Sequence, residues 1–242
     1  LGRQVVYKTL HEHLSGDETE IQRFLREARI TANLAHPGTV PVYELGRDRE
    51  GLLFFTMKRV RGRDLREIIK ALKTRDPHTH NAFPLHVLID ILIQVCQTLA
   101  HTHSRGVIHR DLKPANILVD EASAEFPLDG GDAAARLGQP KILDFGVARA
   151  SSSELSVVTT GTLAGQLVGT IPYMSPEQAR GETELLDQRS DIYSLGVVAF
   201  ELLGGVLPYA VRGKAVHAAT RTICEQEPIR PRSLRRALAG DV

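Results

Sequence analysis

One apolar stripe constrains this chain more than any other feature. Between Leu85 and His103, the residues Leu88, Ile91, Leu92, Val95 and Leu99 recur at helical spacing and form a continuous face. Such a helix draws most of its stability from packing, because isolated helices are marginal in water. Two further helices follow the same logic: a largely apolar one over Asp187 to Leu203 and an amphipathic one over Val211 to Glu225. Asp64 can cap another that reaches about Leu72. The first 60 residues read differently. Val5, Val6 and Tyr7 form a strand ending near Lys8. A helix follows the cap Asp17, marked by Ile21, Phe24, Leu25, Ala28, Ala32 and Ala35, and His36-Pro37-Gly38 ends it. Val40 to Leu45 and Leu52 to Met57 are strands around the polar turn Gly46 to Gly51. Ile117 to Val119 and Lys141 to Leu143 are short β runs inside the helical remainder. No internal repeat is visible.

Composition removes several classes. At 242 residues the chain has room for one large domain or two small lobes. Hydrophobic residues at 42% and charged residues at 24% are those of a folded protein, not a disordered one. A net charge of +1 lacks the basic excess of a dedicated nucleic-acid binder. Cys96 and Cys224 are too far apart in sequence for a metal or redox motif. The longest apolar stretch, Leu195 to Leu207, is 13 residues long and contains Glu201. A spanning helix needs about 20, so no membrane segment is expected in this piece. The N-terminus has no signal-peptide layout, and both ends read as cuts in a longer protein.

The chemistry-bearing segment is His109-Arg110-Asp111-Leu112-Lys113-Pro114-Ala115-Asn116, followed by Asp144-Phe145-Gly146 and then Tyr173-Met174-Ser175-Pro176-Glu177. Together these resemble the catalytic loop, the Mg²⁺-binding loop and the A-P-E segment of protein kinases, with Ser in place of the Ala. Val5-Val6-Tyr7-Lys8 resembles the strand with the family's ATP-contacting Lys. Asp191-Ile192-Tyr193-Ser194-Leu195-Gly196 resembles the start of the buried helix under the catalytic loop. The order of the motifs is the family's order, and the flavour is that of bacterial eukaryote-like Ser/Thr kinases.

The resemblance implies an α+β, two-lobed protein kinase fold, truncated at both ends. A small β-rich lobe would span residues 1–60, with the hinge near 58–60, and a mainly helical lobe 61–242. It implies ATP- and Mg²⁺-dependent phosphorylation of Ser or Thr in protein substrates. Asp111 would receive the acceptor proton, and Lys113 would place a cation beside the phosphoryl oxygens. Asn116 and Asp144 would offer the hard oxygen ligands that Mg²⁺ takes. Glu27 lies at the border of the apolar face of its helix, from which it can reach inward to Lys8. The family's ion pair would then aim Lys8 at the α- and β-phosphates. Met57 resembles the gatekeeper before the adenine-binding hinge, and Val60 and Leu118 are expected at the nucleotide.

Arg110, read as buried, needs an anionic partner. In kinases with this Arg, a phosphate on the activation loop commonly fills that role. Thr159, Thr160 and Thr162, in the polar stretch Ser151 to Gly169, are the candidates. Thr170 resembles instead the Thr that binds the catalytic Asp and Lys. Asp120 to Pro140 reads as a solvated surface insertion. His101 and His103 read as the end of a helix, not as metal ligands.

The family's Gly-rich loop would lie before Lys8, where only seven residues stand. The helix that carries the Arg partner of Glu177 would follow residue 242. Glu177 is therefore expected to lack that buried Arg partner, and the piece to be a weak catalyst. One rival is a pseudokinase or scaffold that binds nucleotide or partners without turnover. Another is an aminoglycoside-kinase type of phosphotransferase, against which Tyr173 to Glu177 speaks. The expected setting is the cytoplasm, or the cytoplasmic part of a membrane-anchored receptor kinase, with self-association for autophosphorylation. No nucleic-acid partner is expected.

Overall fold

The structure is a computed structural model, which describes residues 2, 4–120, 139–145 and 169–230. Two small sheets and a helical core organise it. The first sheet joins β1 (Val5–Thr9), β2 (Val42–Arg47) and β3 (Leu53–Lys58) in the antiparallel order β1-β3-β2. Lys8 stands opposite Phe55 in this sheet. Helix α1 (Glu18–Asn33) begins where Asp17 accepts from the backbone N–H groups of Thr19 and Glu20. Its inner face places Phe24 and Ala28 against Leu10, Leu53 and Phe55, with the Phe24 and Phe55 rings 5.2 Å apart. Lys8, on the strand beside β3, and Glu27, on the helix that packs on β3, thus reach one place.

The chain leaves β3 and enters β4 (Gly62–Asp64), which pairs with β5 (Ile117–Asp120); β6 (Pro140–Ile142) completes this second sheet in the order β4-β5-β6. Around it lie α2 (Leu65–Lys73), α3 (Pro77–Ala82), α4 (Leu85–Ser104), α5 (Pro176–Arg180), α6 (Gln188–Gly204) and α7 (Val216–Glu225). The main core collects Leu65, Ile68 and Ile69 from α2, Ile91, Val95 and Leu99 from α4, Ile117 and Val119 from β5, and Val198 and Leu202 from α6. The expected stripe of α4 is the face it buries, except that Leu92 stays partly exposed.

Four expectations need correction. The helix expected from Val211 starts at Val216, because Gly213 turns the chain at φ +76° just before it. Strand β4 and helix α3 were not anticipated. β4 is three residues long and owes its extended form to pairing with β5, and α3 rests on Pro77 at its first turn and the cap Asp76. Finally, α4 is long and apolar enough to cross a membrane by length and composition alone. The longest-run reading missed it, since Asp90 and the uncharged His86, Gln94, Gln97 and Thr98 break the run. In this fold α4 buries Val87, Leu88, Ile91, Val95 and Leu99 in the protein core. The insertion after Asp120 and the stretch Ser151 to Gly169 fall almost wholly outside the described residues, and with them Thr159, Thr160 and Thr162.

Candidate active site

The site is built on the loop between α4 and β5, and the anchor of that loop is Asp191. Asp191 sits in the first turn of α6 and is fully buried. Its Oδ2 accepts from the backbone N–H of His109 at 2.7 Å and from Nε2 of His103 at 2.7 Å; its Oδ1 accepts from the backbone N–H of Arg110 at 2.8 Å. Burial alone would raise the Asp191 pKa, but the bonds from His103, His109 and Arg110 outweigh it and hold the carboxyl below its ordinary value. Arg110 is held at φ +65°, a left-handed conformation that a residue with a side chain adopts only when its surroundings impose it. Its carbonyl accepts from Gln178 Nε2 at 2.7 Å, which ties the loop to α5 as well.

His109 is buried beneath the loop. Its Nδ1 accepts from the backbone N–H of Asp111 at 3.2 Å, so Nε2 carries the hydrogen and donates to the carbonyl of Leu143 at 2.9 Å. The imidazole also meets the Phe145 ring at 5.0 Å. One side chain therefore links the catalytic loop to the segment that carries Asp144.

Asp111, Lys113, Asn116 and Thr170 come together as the sequence suggests. Lys113 Nζ donates to Asp111 Oδ2 at 2.8 Å and to Thr170 Oγ1 at 2.9 Å. Asn116 Nδ2 donates to the carbonyl of Asp111 at 2.8 Å and to its Oδ2 at 3.3 Å. The ammonium and the amide thus both fix the Asp111 carboxylate.

Lys8 Nζ donates to Glu27 Oε1 at 2.5 Å and to Asp144 Oδ1 at 3.0 Å. One ammonium shared by two carboxylates leaves the group short of positive charge. Burial would lower the Lys8 pKa, yet Asp144 and Glu27 carry it above the ordinary lysine value. Burial pushes Glu27 up, and its share of Lys8 does not compensate. Asp144 has φ +49°, a second left-handed residue at the site.

The remaining expected residues are placed as follows. Met57 in β3 is partly buried and packs on the cluster of Phe24 and Phe55. Val60, after β3, and Leu118, in β5, are half-buried. Arg110 is half-buried, not buried, and its backbone is tied to Asp191 and Gln178. Glu177 takes a hydroxyl as a partner, which sequence reasoning did not foresee: Ser190 donates to it at 2.5 Å. Burial would raise the Glu177 pKa, and the hydrogen bonds led by Ser190 bring it below the ordinary value. The two histidines at the end of α4 diverge. His103 meets Asp191, and the His101 ring meets the His36 ring in a tilted pair at 4.8 Å.

Sequence reasoning missed the roles of Asp191, Ser190 and Glu201. Glu201 in α6 is buried and accepts from Lys73 at 2.8 Å, from Arg212 at 2.6 Å and from the Tyr173 hydroxyl. A signal existed for both acids, because a carboxylate inside an otherwise apolar helix must find donors.

Comparison with known proteins places these features in a family. The protein kinase domain profile matches residues 1–235. The serine/threonine-protein kinase pkn3 of Myxococcus xanthus is 37% identical over 94% of this chain and 38% of its own length. The serine/threonine-protein kinase PknB of Mycobacterium leprae is 36% identical over 100% of this chain and 34% of its own length. PrkC of Bacillus subtilis, also a serine/threonine-protein kinase, is 37% identical over 86% of this chain and 28% of its own length. The chain thus spans about a third of the length of these relatives.

Proposed function

The chain belongs to the protein kinase family, and from that premise we propose that it transfers the γ-phosphoryl group of ATP, with Mg²⁺, to Ser or Thr hydroxyls of proteins. The observation that carries this reading is the single cluster of Asp111, Lys113, Asn116 and Thr170. Phosphoryl transfer asks for positioning and charge neutralisation more than covalent participation. Asp111 is the group that orients the acceptor hydroxyl and takes its proton. Lys113 is held between Asp111 and Thr170, where a cation can face the transferring oxygens.

Lys8, aimed by Glu27, is assigned to the α- and β-phosphates, and Met57, Val60 and Leu118 to the adenine end. Residues 58–60 are taken as the hinge between a lobe of residues 1–60 and one of 61–242. Asn116 and Asp144 fit Mg²⁺ as ligands. Asn116 commits its amide nitrogen to Asp111, so its carbonyl oxygen is the end it can offer. Asp144 shares its cation with Glu27 and is suited to take another. A bound ion would neutralise charge on the phosphate oxygens. Arg110 is assigned to a phosphate on Thr159, Thr160 or Thr162, and Glu177 to anchoring the activation segment through Ser190. The dependence on ATP argues for a cytoplasmic setting, and autophosphorylation would call for transient self-association.

Asp111→Asn tests the assignment in the full-length protein. An amide cannot accept the hydroxyl proton, and general-base roles are worth about 10²–10⁴-fold in kcat. The variant is expected to lose at least about 100-fold in kcat while still binding ATP. Retention of more than about a tenth of wild-type turnover would remove Asp111 from the base role. Nucleotide binding in a wild-type protein that transfers no phosphate would favour the scaffold reading instead.

A further inference from the structure

The run from Lys58 to Arg75 holds eight cations and two acids in a chain whose net charge is +1, and phosphoryl transfer gives most of it no task. The fold gathers part of this charge on one face. In α2, Arg66, Lys70 and Lys73 are exposed and fall within about 60° of one another around the helix axis, at ~100° per residue. Leu65, Ile68 and Ile69 bury the other side. Glu67, the only acid within α2, lies about 60° beyond Lys70.

A second observation places this face beside the acceptor end of the site. Lys73 and Arg212 both donate to Oε1 of Glu201, while Tyr173 donates to Oε2. Tyr173 follows Thr170 by three residues, and Thr170 is bound to Lys113. Glu201 is 1% exposed and fully engaged, so it cannot serve an incoming cation. Its two partners remain 32% and 65% exposed, and one carboxylate neutralises only one of them. Arg66 pairs with Asp64 at 3.0 Å but keeps 69% of its side chain exposed, so the surface still carries more cations than acids.

We propose that Arg66, Lys70, Lys73 and Arg212 form a docking face for acidic segments of the protein substrate, so that acceptors flanked by Asp or Glu are selected over acceptors flanked by Lys or Arg. The selection of acceptors rests on the kinase reading, whereas the docking does not. Single exposed pairs contribute little, so recognition has to come from several cations acting on several carboxylates. Such an interaction speeds encounter and weakens with salt, because the Debye length is about 10 Å at 0.1 M.

Three labelled peptides with one Thr acceptor test this on the full-length protein; each carries four Asp, four Asn or four Arg on one side of the Thr. Fluorescence anisotropy reads binding and phosphate incorporation reads kcat/KM, at low and high salt. The Asp peptide is expected to bind at least about tenfold tighter than the Asn peptide at 20 mM salt, with most of that advantage gone at 0.5 M. The variant Arg66→Glu with Lys70→Glu is expected to abolish the advantage and leave the Asn peptide unchanged, since neither residue contacts the cluster around Asp111. Equal binding of Asp and Asn peptides, tighter binding of the Arg peptide, or an advantage that survives the double variant overturns the proposal. A binding preference with no Asp111-dependent phosphate transfer to any peptide would instead overturn the kinase reading.

Discussion

At the scale of single residues, Lys8 is the most heavily used group at the site. It serves Glu27 and Asp144 at once, and neither carboxylate has the ammonium to itself. A cation bound with the nucleotide would relieve that shortage if Asp144 held it, as proposed above. Asp144→Ala is therefore expected to abolish the gain in nucleotide affinity that Mg²⁺ gives, while Lys8 keeps Glu27. Nucleotide titrations with and without Mg²⁺ measure this, and an equal Mg²⁺ effect in both proteins would move the metal role elsewhere. Arg110 makes a second prediction. Its backbone is fixed at both ends in a left-handed conformation, and the residue is half-buried. A phosphate of about −1.5 to −2 charge on Thr159, Thr160 or Thr162 would pair with it and order the activation segment. Incubation with ATP followed by phosphosite mapping should find one of these residues modified, and their triple replacement by Ala should lower activity at least several-fold. Full activity from the unphosphorylated enzyme would rule this out.

At the scale of elements, the placement of α1 decides whether Glu27 meets Lys8, and the turn after α1 fixes that placement. Gly38 packs so closely on α4 that a Cβ there would overlap Oγ1 of Thr98. Its carbonyl accepts from the Ile142 N–H at 2.8 Å, so the turn cannot simply move away. Gly38→Ala is expected to lower stability by about 1–3 kcal/mol, as overpacking does. Adding Thr98→Ala should restore part of it, and denaturant midpoints of the four proteins in the cycle measure the coupling. Strictly additive effects would mean that the contact does not hold the turn. How much of this was legible follows from where the information lies. Helices α1 and α4 could be read from the sequence because a cap residue or an apolar stripe is local. So could the meeting of Lys8 with Glu27, 19 residues away, because each sits on an element whose inner side is marked by apolar neighbours. β4 could not, since its strand character comes from β5, more than fifty residues on. The start of α7 could not either, because the Gly213 turn overrides an apolar pattern that continues through it. Asp191 was visible as part of a motif but not as an anchor. Its partners include two backbone N–H groups 82 and 81 residues away, and these leave no side-chain signature.

At the scale of the whole molecule, Asp191 is the point where α6, α4 and the catalytic loop are joined. The carboxylate receives hydrogen bonds from His103 of α4 and from His109 and Arg110 of the loop. Protonating it in the folded state would leave buried donors without a charged acceptor, so the fold resists protonation and holds the Asp191 pKa below its ordinary value. The sign of the linkage follows. An unfolded Asp binds its proton near pH 3.9, whereas the folded protein binds it only at lower pH. Stability from this group is fully present above about pH 4 and is lost as pH falls through the folded pKa. Asp191→Asn removes the titration and replaces a carboxylate that accepts three bonds by an amide whose nitrogen faces N–H donors. Breaking a buried charged contact of this kind costs about 3–5 kcal/mol. At pH 7 the variant is expected to unfold at a clearly lower denaturant concentration than the wild type. Between about pH 4 and pH 3 the gap should narrow, because the wild type loses what the variant never had. Other carboxylates titrate in both proteins and cancel in the difference. Denaturant midpoints at half-unit steps of pH give the curve. A gap that stays constant down to pH 3 would show that Asp191 holds the loop without its charge, and the electrostatic account of this joint would fail.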